Sequence, residues 1–316
     1  MSRPFLTGTP LIATALLFTP LWGIGTSFLT VPSTPRELAL GGSSVIVMGD
    51  PSLSRGNPAL VVQDLPSTQV YLGYHRWLTG IKGSSIFWVQ PGLAGTVGVG
   101  IRQLAVSDLE LRTDVPTDEY LAHFAASGTA VEVVWGKPLG RGMSGRESLE
   151  GGRIRFGMAL RWIRTELYTY SSSGVGADIG AVWPVIPERF TVGAAVKNLG
   201  TMGPLNRKRP SLPTAVAAAA SYRISPPETS RSPAISSMIM VETELSRAHG
   251  VVARVAGETG MGGFTLTLGS RLSRRLMAVG AGVAVTWRRF QVSYGMEVGS
   301  HRLGIPHLFQ VRATLP

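Results

Sequence analysis

The chain has 316 residues, of which 39 are glycine and none is cysteine. The missing thiols exclude disulfide scaffolds, Cys-ligated zinc, iron–sulfur clusters and cysteine nucleophiles. A charged fraction of 16% with a formal net charge of +11 is low in charge and strongly basic, and a hydrophobic fraction of 44% argues against disorder.

Residues 1–25 (MSRPFLTGTPLIATALLFTPLWGIG) place Arg3 before the apolar stretch Leu11–Phe18, with small residues from Gly23 onward. That order predicts a secretory signal peptide and export. No apolar run is long enough for a membrane helix, which needs ~18 residues. Residues 26–66 follow as a turn-rich segment. Gly41-Gly42 permits positive φ, and Asp50-Pro51 and Asn57-Pro58 are turn starters. The segment reads as a plug or brace, the bland alternative being an ordinary surface loop.

From about residue 68 the dominant period is two. Phe290, Val292, Tyr294, Met296 and Val298 share one face, and Gln291, Ser293, Gly295 and Glu297 the other. Met277–Trp287, Ile154–Trp162 and Phe264–Gly269 alternate in the same way, as half-buried strands do. About fourteen such segments lie near 68–78, 83–90, 93–103, 120–136, 153–166, 175–184, 189–198, 213–223, 235–245, 250–257, 262–271, 277–287, 289–298 and 306–315. Either a pair of soluble sandwiches or one barrel fits them. The weaker face is rich in Gly, Ala, Ser and Thr, which suits a crowded lumen. Trp77, Trp88, Trp135, Trp162, Trp183, Trp287 and Phe290 suggest an interfacial girdle. The expected fold is therefore all-β: one antiparallel transmembrane barrel over residues 67–316, preceded by the plug. Odd connections, including 104–119 and 199–212, are expected outside. The long connection 137–152 is the exception to short inner turns. Glu132, Arg155, Arg161, Lys197 and Glu297 alternate with apolar neighbours and are expected in the lumen, since a cation toward lipid costs about 2–4 kcal/mol at midplane.

The sequence resembles the PorV/PorQ family of outer-membrane barrels, relatives of the FadL fatty-acid transporters. The motifs are Phe28-Leu-x-Val-Pro, Leu40-Gly41-Gly42, Asp50 and Asn57-Pro58-Ala59-Leu60, then Tyr74-His75-x-Trp77-Leu78. Gly176-Ala-Asp178-Ile-Gly180, Val192-Gly193-x3-Lys197-Asn198-Leu199-Gly200, Leu212-Pro213 and Leu303-Gly304-Ile305-Pro306-His307 follow. The form around Asp50 looks more like the PorQ branch. The resemblance implies a 14-stranded component of the type IX secretion system that anchors or scaffolds surface partners. It makes Gly41, Gly42, Asp50, Asn57, Pro58 and Ala59 plug motif residues, and Asp178, Gly180, Asn198 and Gly200 barrel motif residues. The alternative is a FadL-like passive transporter of hydrophobic molecules, which calls for a continuous apolar pocket and a lateral wall opening. A soluble periplasmic β-protein ranks third.

Chemistry-bearing patterns are scarce. His75, His123, His249, His301 and His307 show no metal-ligand spacing, and Ser144 lacks a nucleophile-elbow frame. The acidic run Asp108–Glu119 reads as a solvated loop. No catalytic residue, cofactor or metal is expected. Arg207-Lys208-Arg209, Arg271, Arg274-Arg275 and Arg288-Arg289 are placed at turns, where they suit lipopolysaccharide phosphates. Export and the lack of a readout motif argue against nucleic acid.

Overall fold

The computed structural model describes residues 26–63, 67–112, 119–139, 153–224, 235–274, 276–300 and 304–315. Residues 1–25, expected from the sequence to be a signal peptide, Ser144 and His301 lie outside them. Fourteen antiparallel strands close into a barrel. They are β1 (Gln69–Arg76), β2 (Lys82–Gly92), β3 (Gly95–Leu111), β4 (Ala122–Pro138) and β5 (Arg155–Leu167). Next come β6 (Tyr170–Ile186), β7 (Phe190–Met202), β8 (Ala215–Ile224), β9 (Ser236–Ser246) and β10 (Gly250–Met261). The last are β11 (Phe264–Ser273), β12 (Met277–Trp287), β13 (Phe290–Gly299) and β14 (His307–Thr314). β1 closes on β14 from Gln69↔Thr314 to Arg76↔His307, so no sheet edge is left unpaired. The even count brings the start of β1 and the end of β14 to one rim, here the terminal rim. The opposite one is the far rim.

Alternation decides which way each side chain points. Leu268, Val283, Val298 and Phe290 are exposed on the outside, while Ala256, Ala278 and Leu308 are buried inside. Trp88, Trp183, Tyr222, Trp287 and Phe290 are outward residues of the terminal half, and the Arg288 guanidinium lies 4.8 Å from the Trp287 ring centroid. On β5 the outward series Phe156, Met158, Leu160, Trp162 gives way to Arg164 and Glu166, which pair with each other in the open. The apolar band is therefore about nine residues deep there, as a tilted crossing needs. A stack of soluble layers would instead bury these side chains.

The strands outrun their periodicity at the far rim. β3 continues to Leu111 and β4 begins at Ala122, through the segment expected as loop 104–119. β6 starts at Tyr170 rather than near 175, and β7 runs to Met202. Above the band the outward residues are Gln103, Ser127, Thr129, Ser171 and Ser173, so both faces are polar or small and the alternation fades while the hydrogen-bond ladder goes on. Arg271 is also corrected: it sits within β11, not at a turn, and donates to Glu297 in the lumen at 2.6 Å.

A plugged lumen as the candidate functional site

Residues 26–62 lie inside the barrel. They begin in its far half, where Thr26 Oγ1 donates to the Ser211 carbonyl at 2.7 Å. Arg102, on β3, donates to the carbonyls of Phe28 (2.8 Å) and Val31 (2.9 Å). Phe28 and Leu29 pack on Ile163, Met202 and Leu212. The chain then forms α1 (Pro35–Ala39) against β11, β12, β13 and β14, and ends in a 3-10 turn (Pro58–Val61) against β3, β4, β5 and β6. Between them it passes Ser270, Arg254 and Glu242. It thus runs around the inner wall at mid-height before leaving toward β1.

Local sequence explains each turn. Thr34 caps α1 by accepting from the Glu37 amide (3.0 Å), and Glu37 reaches back to the Ser33 amide (2.6 Å), a reciprocal cap. Asp50 accepts from the Ser52 amide at 3.2 Å and Asn57 from the Ala59 amide at 3.0 Å. Each is followed by proline at the first helical position, where its missing N–H costs nothing. Gly41 has φ 67°, and a Cβ there would stand 2.7 Å from the Ser270 backbone. Gly42, at φ 85°, lies beside the Arg254 guanidinium.

The wall is cut to receive this coil. A Cβ at Gly157 would lie 2.3 Å from the Pro58 backbone, at Gly269 2.3 Å from Leu40, and at Gly295 2.2 Å from Pro35. At Gly180 it would strike Asn57. Asn57 Nδ2 donates to Val45 at 2.7 Å and to Ala181, on β6, at 3.1 Å, joining two parts of the plug and the wall. Pro58 and Ala59 are buried against these strands.

Charges do the rest. Glu242 accepts from Ser43 Oγ (2.8 Å), the Ser44 amide (3.0 Å) and the Val45 amide (3.1 Å), and from Arg254 (3.0 Å). Arg36 donates to Glu258 at 2.8 Å through Nε and lies 3.5 Å from Asp50. Burial alone would lower its pKa, but the Glu258 and Asp50 carboxylates outweigh that and raise it. Arg161 holds Glu132 (3.1 Å), Asp178 (2.7 Å) and Asn198 Oδ1 (2.8 Å). Asp178 also accepts from the Asn198 amide at 2.6 Å, at a bulge where Asn198 takes φ 56°. Gly200 (φ 154°) completes that irregular stretch, since a Cβ there would stand 2.1 Å from the Val175 carbonyl oxygen. Lys197 meets Glu244 at 2.7 Å, Glu297 meets Arg271, and Arg155 donates to the Val62 carbonyl at 3.1 Å. Glu242, Arg102, Arg254 and Glu258 were not singled out from sequence. Strand parity assigns them inward: Arg102 shares a face with Gly98 and Gly100, Arg254 and Glu258 with Ala256, and Glu242 with Met240 and Glu244.

Cavities of about 210 Å³ and 790 Å³ lie in the terminal half. The smaller is lined by Arg36, Asp50, Glu258 and Arg312. Neighbouring strands are hydrogen-bonded all around the barrel. Among the described residues that closed ladder leaves no unpaired strand edge as a lateral opening.

No protein-family model matches the chain, and no curated protein is found by sequence. Solved structures do resemble it. The Ralstonia pickettii toluene transporter TbuX superposes with a TM-score of 0.56 at 10% identity, covering 92% of this chain and 100% of that one. The CymD monoaromatic hydrocarbon channel gives 0.58 at 11%, covering 90% and 98%. The P. putida toluene transporter TodX gives 0.52 at 9%, covering 90% and 97%. At such identities the likeness is one of fold alone.

Proposed function

We propose that this chain is a non-enzymatic barrel of the outer membrane, exported by a signal peptide, through which small hydrophobic molecules pass when its N-terminal plug shifts. The observation that carries the reading is a fold shared end to end with three hydrocarbon channels, combined with a plug held only by noncovalent contacts. Passage in this conformation is blocked at mid-height, so the reading requires movement of residues 26–62. The absence of cysteine makes the test clean. Ser43 Oγ lies 3.5 Å from Met240 Sδ, so Ser43→Cys/Met240→Cys brings two thiols within reach of a short reducible bis-methanethiosulfonate crosslinker that locks the plug. Uptake of labelled toluene by cells carrying the pair should occur under reducing conditions and fall to background once the crosslink forms. Equal uptake in both states, with the crosslink verified, rejects the reading.

A second reading is the PorV/PorQ-like scaffold of type IX secretion. The filled, charge-laced lumen favours it, because a load-bearing anchor has no use for an open bore. Its surface partners would meet the far rim, where Arg207, Lys208 and Arg209 are exposed and suit lipopolysaccharide phosphates. Recovery of the tagged barrel with surface-attachment proteins from detergent extracts, and loss of cargo display on deletion, would support it. Recovery alone with normal display would count against it.

A further inference from the structure

A row of basic residues crosses the outer wall where the barrel closes. Arg76 on β1 stands opposite Lys82 on β2 and opposite His307 on β14. Three neighbouring strands thus bring the three side by side, about 10 Å from end to end. Strand parity points them outward, since His75 and Leu308 beside them are buried inside, and Arg76 and Lys82 are exposed. Among the described residues neither Arg76 nor Lys82 has a side-chain hydrogen bond or ion pair. On β5, by contrast, the outward Arg164 has Glu166 at 2.8 Å. Across residues 69–92 and 290–314 the only carboxylate is Glu297, which lies in the lumen with Arg271.

Left alone, this row is unfavourable. Like charges directly opposite each other on paired strands repel. Met296 faces His307 from β13, and Val298, nearer the far rim, is still an exposed apolar residue. The row therefore enters the band that lipid covers, where a cation is more costly the deeper it lies. An anion seated on the row relieves both effects. Two features select its kind. Tyr294 Oη lies 2.6 Å from His307 Nδ1, and the two rings stack; with the hydroxyl donating, the ring proton sits on Nε2, which is left as a third donor beside the guanidinium and the ammonium. On the terminal side of the row, Leu72 and Tyr74 of β1 lie opposite Val311 and Phe309 of β14, all four exposed, as an apolar strip. A phosphate monoester offers nearly two charges and three acceptor oxygens to such donors, and the strip offers acyl chains a surface to lie on.

We infer that Arg76, Lys82 and His307 form a binding site on the outer wall for a lipid whose head carries a phosphate monoester, its acyl chains lying along Leu72, Tyr74, Phe309 and Val311. The inference rests on the reading of the chain as an outer-membrane barrel, and not on what passes through it. The test is native mass spectrometry of the full chain in detergent micelles, titrated with diphosphoryl lipid A, which carries such groups. The first lipid A should bind at least about tenfold more tightly than phosphatidylglycerol, whose phosphate is a diester, and than dephosphorylated lipid A. Arg76→Gln/Lys82→Gln should weaken lipid A by at least about tenfold, while Arg164→Gln on β5 keeps the parent's affinity. Heat-modifiable gel migration reports the barrel separately, so the site fails without the outer-membrane reading if a folded barrel does not discriminate among these lipids. Should the double variant not assemble, the comparison of phosphorylated with dephosphorylated lipid A on the unaltered chain decides. The assignment is overturned by equal affinity for those two lipids, or by an assembled double variant that binds like the parent. Displacement of lipid A by millimolar inorganic phosphate overturns it as well, since the site would then be one for a free anion.

Discussion

Glu242→Ala is the sharpest perturbation of the plug. The carboxylate serves Ser43 Oγ, the Ser44 and Val45 amides and Arg254, at 2.8–3.1 Å. Alanine leaves two buried amides without an acceptor, at about 1–3 kcal/mol each. It also leaves Arg254 with Glu244 alone, at 3.5 Å. Removing one member of a buried pair costs about 3–5 kcal/mol, so the two routes to the number agree. Local opening of residues 43–47 should then become about two to three and a half orders of magnitude more frequent. Hydrogen exchange read by mass spectrometry on the barrel in micelles measures this directly. Protection in 43–47 should fall by about a hundredfold or more in Glu242→Ala. It should fall less in Glu242→Gln, whose amide oxygen still accepts. Protection of β12 and β13 should not change. If the 43–47 peptides keep their protection within about threefold, Glu242 is not the anchor and the reasoning fails.

Three further outcomes follow from the same geometry. Gly269→Val should dislodge the plug, because a Cβ already stands 2.3 Å from Leu40 and overpacking costs about 1–3 kcal/mol or more; protease should cut within 38–48 in an otherwise folded barrel, whereas Gly257→Val, whose Cβ meets only the Met238 carbonyl at 3.5 Å, should resist. Arg161→Ala leaves Glu132 with Arg55 alone, at 3.8 Å, and Asp178 with only the Asn198 amide, and should destabilise the wall by about 3–5 kcal/mol, seen as a lower temperature for the folded-to-unfolded gel transition. Val283→Arg puts a cation on the outward face of β12, where Val283 is exposed, and should cost about 2–4 kcal/mol of insertion into liposomes; Thr79→Arg, in the β1–β2 turn, should cost nothing measurable.

The barrel was legible because the bilayer imposes a rule on every strand it covers. Phe290–Val298 and Met277–Trp287 announce themselves by a period of two, with the oily set outward. Where lipid ends, the rule ends, and β3 from Leu104 to Leu111 lost its signature although its ladder with β4 continues past a bulge. The plug was legible as turns, since Asp50-Pro51 and Asn57-Pro58 carry their own caps. Its path was not, because the contacts that set it join residues some two hundred positions apart, such as Ser43 with Glu242 and Arg36 with Glu258. Wall glycines were read as relief from crowding. Nothing in a strand pattern says that the crowding at Gly157, Gly269 and Gly295 comes from a single coil.

The spacing of the polar anchors bears on how such a plug could open. Arg102 holds Phe28 and Val31, Glu258 holds Arg36, Glu242 holds Ser43–Val45, and Asn57 bonds the carbonyls of Val45 and Ala181. An apolar coil against an apolar wall could slide by a residue at little cost. Charged groups at fixed intervals cannot, because a shift would leave each of them buried and unmatched. The same arrangement divides the coil into independent stretches. Releasing all four anchors together would cost several times the ~3–5 kcal/mol of one, which no thermal fluctuation supplies on a useful timescale. Releasing one stretch populates an open form at about one part in several hundred to several thousand. A molecule that crosses this barrel therefore slips beside one loosened stretch and leaves the rest of the coil seated. Weakening a single anchor should raise passage in proportion to the exchange rate of its own segment and leave the other segments protected.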